Sequence, residues 1–236
     1  MSHQRTVYVI DGNIASRRAL TMDLAKVGAE AWPFGSGAEF VEISAHLMPG
    51  IILLEIEGSE GLSVLEALVA RQTGWPILAM SADAPVSLAV AAMKLGALDF
   101  LERPLQAAVL AAALVPAWQV LETSVKIGEA RRQAQERLGR LTARELDISA
   151  ALFAGHSNKT VAHELGISVR TVEMHRAHIM AKLGVRSIAE AAVMATQAGL
   201  PAYASSKSAP ARPGNVVGFS KPGADFRSAR LARTAV

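Results

Sequence analysis

The chain has 236 residues, 51% of them apolar, with no cysteine and a net charge of +3. That length suits one or two domains with a packed core, and the missing cysteine excludes a disulfide framework or a thiolate zinc site and fits a reducing compartment. The charge is graded: residues 1–130 carry a net −6, residues 131–200 a net +4 and residues 201–236 a net +5. An acidic front and a basic back point to a polyanion met by the back half alone, although on charge alone a solvated basic surface explains the back half as well.

The N-terminal "MSHQRTVYVIDG" has no long apolar run after its charges, so no secretory signal is expected. "TVYVI" (6–10) reads as a strand and "IASRRALTMDLAKVG" (14–28) as a helix stopped by Gly28. "AEAWPF" (29–34) is a poor strand whose proline assigns it to an edge. Residues 37–47 read as a helix, "GIILLEI" (50–56) as a continuous apolar strand and 61–72 as a helix. "WPILAM" (75–80), a helix over 85–96, the strand "ALDFL" (97–101) and a helix over 105–120 complete five strand–helix alternations. Strands apolar on both faces predict an α/β fold, a five-stranded parallel sheet doubly wound by helices. In such folds ligands bind at the carboxyl ends of the strands. Asp11, Glu55, Ser81 and Arg103 fall at or just past those ends. Glu55 therefore reads as a pocket residue, although it closes an apolar strand.

"PLQAAVLAAALVPAWQVL" (104–121) has no charge over 18 residues, which approaches the ~17–25 residues of a spanning helix. Its alanine content, Gln106, Gln119 and Pro116 favour a buried or dimer-forming helix instead. Residues 121–138 read as a charged helical linker, and residues 201–236, rich in Ser, Pro, Gly and Ala, as a disordered basic tail.

Residues 141–187 hold the clearest signal. Gly155 closes one helix, and Ser157 caps the next, which ends at Gly166. Ser168 then caps a helix running to about Leu183, with Ile167 and Val172 placed as a hydrophobic staple. Two short helices about a tight turn make a helix-turn-helix, a small all-α unit whose second helix enters a DNA major groove. Arg170, Glu173, Met174 and Ala177 form its outward stripe. Glu accepts from cytosine N4 and Met contacts a thymine methyl, while Asn158, Lys159, Arg170 and Arg176 suit phosphates. Ser168, Thr171 and His175 complete the DNA-binding set. His175 and His178 have no acidic partner at metal-ligand spacing, and no Ser-His-Asp, P-loop or zinc signature occurs, so neither a metal, a cofactor nor an enzymatic activity is expected.

The segment "LTARE…GHSNKTVAHELGISVRTVEMHRAHIMAKLGVRS" closely resembles the LuxR-type helix-turn-helix of FixJ/NarL response regulators. The front half, through "VYVIDGN" (7–13) and "MKLGALDFLERP" (93–104), resembles their flavodoxin-like receiver domain. The resemblance implies a receiver over 5–120, the linker 121–138, a DNA-binding domain over 139–200 whose last helix mediates dimerisation, and the tail 201–236. It implies double-stranded DNA as partner, a homodimer, a sensor kinase or another protein at the receiver, and a cytoplasmic protein without membrane contact.

A typical receiver has an acidic pair after the first strand, a phosphoaccepting Asp after the third, Ser/Thr after the fourth and Lys after the fifth. The chain keeps Asp11 and Ser81 but has Gly12 for the second acid, Glu55 for the acceptor and Arg103 for the lysine. The loop "EIEGSEG" is two residues shorter than usual and lacks its Met-Pro. Losing a carboxylate weakens a Mg²⁺ site, and the extra methylene of Glu shifts a nucleophile by about 1.5 Å, one C–C bond. Arg suits a standing pair with Glu55. The sequence thus reads as a transcriptional regulator with an atypical, unphosphorylated receiver that supports dimerisation or partner binding. The alternatives are a conventional phosphorylation-switched regulator, or an interaction protein whose receiver binds another regulator or a small ligand.

Overall fold

The computed structural model describes residues 5–83 and 85–199. The expected disordered tail, 201–236, lies outside them. Strands β1 (Thr6–Ile10), β2 (Glu30–Phe34), β3 (Ile51–Glu55), β4 (Ile77–Ser81) and β5 (Asp99–Glu102) form one parallel sheet in the order β2-β1-β3-β4-β5. Every residue of β1 and β4 is buried, as is β3 up to Glu55. This is what a parallel sheet covered on both faces requires of its sequence. β2, with Pro33 and partly exposed throughout, takes an edge.

Helix α1 (Ile14–Lys26) and the first half of α5 (Ala107–Leu138) cover one face. Leu20 and Leu24 of α1, and Leu110 and Leu114 of α5, pack there on Val7, Leu53, Leu78 and Met80. Helices α2 (Gly37–Ile43), α3 (Gly58–Ala70) and α4 (Val86–Leu95) cover the other face. Their Phe40, Leu65, Leu68 and Ala92 meet Tyr8, Ile52, Leu54 and Ala79. The order reverses between β1 and β3, which opens the crevice at their carboxyl ends.

A second core is built by α6 (Ala143–Phe153), α7 (Asn158–Leu165), α8 (Val169–Leu183) and α9 (Ile188–Gln197). Each has a side-chain cap: Thr142 with Glu145 as a capping box, then Ser157, Ser168 and Ser187. Such caps each contribute about 1 kcal/mol. Gly166 and Gly184 end α7 and α8 in the left-handed region at φ 63° and 65°, where a β-carbon is unfavourable.

The two helices read over 105–120 and 121–138 are one, and it runs through Pro116. The second core also reaches into the residues read as linker, because Ala134 and Leu138 are buried in it. Gln135 donates from Nε2 to the Ala198 carbonyl at 3.1 Å, tying this end of α5 to α9. By length and composition α5 is apolar enough to cross a membrane, but Leu110, Ala113, Leu114, Ala117 and Leu121 are spent on the sheet.

Candidate functional site: an ion-paired pocket and a nucleic-acid interface

The crevice at the strand ends is a cleft of about 490 Å³ whose lining includes Asp11, Asn13, Ser16, Glu55 and Arg103. Asp11 leaves β1 buried. Its Oδ1 accepts from the Asn13 amide at 2.7 Å, and its Oδ2 accepts from the Ser16 hydroxyl. Asn13 caps α1 by accepting from the Ser16 amide at 3.1 Å, which sets the helix start beside the carboxylate. Arg17 donates to the Asp11 carbonyl.

Arg103 follows β5, and its amide donates to the Ser81 carbonyl at 2.9 Å. The Arg103–Pro104 bond is cis. The guanidinium lies between the two carboxylates: Nη1 donates to Asp11 Oδ2 at 3.0 Å and to Glu55 Oε2 at 2.8 Å, and Nη2 to the Ser16 hydroxyl. Both acids are withdrawn from water, with side chains 2% and 7% exposed. Burial raises the Glu55 pKa above the usual carboxylate value; Arg103 opposes the rise by hydrogen bond and charge, and Asp11 and Glu57 add to it. The pocket is therefore already neutralised in part by a side-chain cation. A divalent ion fits poorly here, since Arg103 stands between Asp11 and Glu55 and, among the described residues, no group of three His, Cys, Asp or Glu side chains is placed to hold one.

Ser81 departs from the expected arrangement. Its hydroxyl donates to the Asp83 carbonyl at 2.9 Å and makes no hydrogen bond to Glu55 or Arg103. Ser16 supplies the pocket hydroxyl instead. Sequence reasoning missed Ser16 and Arg17; the available signal was Asn13 as an N-cap immediately after Asp11.

In the second core α7 and α8 pack through Val161, Ala162, Val172, Ile179 and Leu183. Ile167 packs against this cluster, as a staple does. The Ile167 amide donates to the Ala162 carbonyl at 3.0 Å, and Arg144 of α6 donates to the Leu165 carbonyl at 2.8 Å. These bonds hold the turn that sets α8 against α7. Arg170, Glu173, Met174 and Ala177 of α8 are all exposed, as is Lys159 at the start of α7. Asn158, Thr171, His175 and Arg176 are half-buried. Ser168 and Thr171 are partly engaged in the cap, with hydroxyls 2.7 Å apart. His175 turns Nδ1 inward, where it has no hydrogen-bond partner among the described residues. Glu145 of α6 is buried, and Lys182 of α8 donates to it at 2.6 Å.

Residues 7–115 match the response regulator receiver domain, and residues 139–195 the luxR family of bacterial regulatory proteins. The chain is 34% identical to the transcriptional regulatory protein FixJ of Bradyrhizobium diazoefficiens over 202 residues, covering 85% of this chain and 98% of that one. The chain belongs to the FixJ family of response regulators. FixJ of Azorhizobium caulinodans is 36% identical over 202 residues, 85% of this chain and 96% of the relative. The solved response regulator StyR is 31% identical with a TM-score of 0.65, covering 83% of this chain and all of that one. A FixJ-family chain with both matches is a DNA-binding transcriptional response regulator of the two-component type. The receiver fold and the helix-turn-helix described above are the two parts of that design.

Proposed function

We propose that this regulator works without phosphorylation of its receiver, and that residues 5–120 serve to dimerise the protein or hold a partner. The observation that carries the reading is the placement of Arg103 between Asp11 and Glu55 at 3.0 and 2.8 Å. A guanidinium there stands between the two carboxylates that a metal ion would need and engages Glu55, the residue at the acceptor position. In-line phosphoryl transfer depends on positioning, so a longer, ion-paired carboxylate is a poor nucleophile. Exposed Val86, Val90 and Met93 of α4 offer an apolar receiver surface for a second copy, which supports the homodimer. A soluble cytoplasmic protein accounts for the apolar α5 through its use in the core. Incubation of the full chain with acetyl phosphate and Mg²⁺ is expected to leave its intact mass unchanged. One added phosphoryl group mapped to Glu55 overturns the reading and restores the conventional switch.

Residues 139–200, together with Ala134 and Leu138 of α5, form the DNA-binding unit in this reading. The exposed α8 stripe enters the major groove; Asn158, Lys159, Arg170 and Arg176 meet phosphates, and Glu173 and Met174 meet bases. Ser168, Thr171, His175 and Ala177 complete the contact surface. Arg170→Ala or Lys159→Ala is expected to weaken all duplexes alike and to lower the salt slope by about one per lost phosphate contact. Glu173→Ala is expected to relax preference at one base pair, by ~1–3 kcal/mol. Fluorescence anisotropy with an operator duplex and its single-base variants, over a range of salt, separates the two effects. Equal loss on all duplexes for Glu173→Ala removes it from base readout.

A further inference from the structure

Residues 201–236 hold six cations, Lys207, Arg212, Lys221, Arg227, Arg230 and Arg233, against one acid, Asp225. FixJ of Bradyrhizobium diazoefficiens is matched over 98% of its length by 85% of this chain, and the luxR match stops at residue 195. The basic tail therefore goes beyond what the family shares. It repeats a basic-Pro-Gly step, Arg212-Pro213-Gly214 and Lys221-Pro222-Gly223, and then sets Arg227, Arg230 and Arg233 at every third residue. The structure fixes where it is rooted. Ala191, Ala195 and Ala198 lie in the same core as Val172 and Ile179 of α8. The Ala198 carbonyl accepts from Gln135 Nε2 at 3.1 Å, and Gly199, at φ 77°, turns the chain beside the Arg131 guanidinium. The root thus belongs to the helix-turn-helix unit. A chain rich in Gly and Ser reaches about 5–6 Å × √n, so 36 residues extend ~30–36 Å from that root, about ten base pairs at ~3.4 Å each.

From the charge and the root we infer that the tail is a second DNA-binding element, which grips the phosphate backbone of the duplex flanking the segment read by α8. It adds affinity without sequence preference. Counterion release rewards each Lys or Arg that meets a phosphate, and it requires no fixed side-chain geometry. The tether makes this second contact intramolecular, so a weak grip still raises the whole affinity. Residues 1–130, net −6, are the other polyanion within reach of the chain. A duplex carries one negative charge per ~1.7 Å, whereas the receiver mixes acids with bases, so the duplex is the stronger competitor. The inference rests on the DNA reading of α8 and adds a contact outside it.

The test combines Lys207→Gln, Arg212→Gln, Lys221→Gln, Arg227→Gln, Arg230→Gln and Arg233→Gln in the full-length chain, with Arg170→Ala beside it. Fluorescence anisotropy over a range of salt uses an operator duplex trimmed to its half-sites and the same duplex extended by about ten base pairs on each side, the reach of the tail. On the extended duplex the six-Gln variant is expected to lose about 3–5 from the salt slope, at ~0.9 per phosphate contact, and to keep its discrimination against single-base mismatches. On the trimmed duplex it is expected to approach wild type. An unchanged salt slope, or an equal change on both duplexes, overturns the inference. Tighter binding by the six-Gln variant also overturns it and places the tail on the acidic receiver. If Arg170→Ala still weakens every duplex while the six-Gln variant binds as wild type, the tail alone is removed. If Arg170→Ala binds as wild type while the six-Gln variant loses its slope, the α8 assignment fails and the tail contact stands.

Discussion

Replacing Arg103 by Met is expected to destabilise the sheet-containing half of the molecule by about 3–5 kcal/mol, the cost of stranding buried charge when one partner of an ion pair is removed. Two carboxylates, with side chains only 2% and 7% exposed, would face each other with no cation between them. Asp11 keeps the Ser16 hydroxyl and the Asn13 amide, so most of the cost falls on Glu55. Arg103→Lys is expected to lose less but still measurably, because one ammonium does not span Asp11, Glu55 and Ser16 together. Glu55→Gln is expected to cost under about 1 kcal/mol, since a neutral amide avoids the desolvation that buried charge incurs. The sign follows from the raised Glu55 pKa: ionising Glu55 opposes folding. Its contribution is complete below the ordinary value of 4.5 and is lost as pH rises through the raised one, so Glu55→Gln gains on wild type toward neutral pH. Urea unfolding of the full chain, followed by the fluorescence of Trp75 and Trp118 in that half, reads both variants. An Arg103→Met protein within 1 kcal/mol of wild type, by the scale of that stranded-charge cost, contradicts the structural role given to Arg103.

The parts of the pocket that the sequence makes legible are those set by backbone position. Asp11, Glu55 and Arg103 sit at or just beyond strand ends, and strand ends follow from where apolar runs stop. What stays hidden is decided by side-chain direction. Ser81 closes β4 as expected, but its hydroxyl turns to the Asp83 carbonyl two residues on, a local bond that serine readily makes. Ser16 looks like any polar residue in the first turn of a helix, and only the Asn13 cap brings it against Asp11. Helix ends follow the same division. α7 and α8 end at glycines visible in the sequence, whereas α3 begins at Gly58, three residues before its expected start. α5 runs on through Pro116 because its flanking turns are anchored on the sheet. Arg144, which caps the turn before α8, is invisible to local reading because its partner is 21 residues away.

The pair Glu145–Lys182 is expected to give the second core its largest single dependence on charge. Glu145 accepts from the Thr142 amide at 2.8 Å and from the Thr142 hydroxyl at 3.0 Å, completing the capping box of α6. The same oxygen accepts from Lys182 at 2.6 Å, so one carboxylate ties the start of α6 to the last turn of α8. Lys182 and the Thr142 amide hold the Glu145 pKa down at about 2, well below the 4.5 of a free Glu. The sign here is opposite to that of Glu55. The stabilisation is complete above about pH 4.5 and is lost as pH falls toward 2. Lys182→Met is expected to lose about 1–3 kcal/mol, the range for a hydrogen bond to a charged group whose buried partner is left short of a donor. Glu145→Gln keeps an oxygen for the Thr142 amide and should lose less, but its stability should no longer fall through that acid window as steeply as wild type. Because the bond fixes the C-terminal turn of α8, Lys182→Met should also lower affinity for every duplex equally, without changing base preference. Chemical denaturation at pH 7 and pH 3.5, set beside anisotropy on matched and mismatched duplexes, reads both effects. A Lys182→Met protein with wild-type stability and a salt slope reduced by about one would instead make Lys182 a phosphate contact and not a tie within the fold.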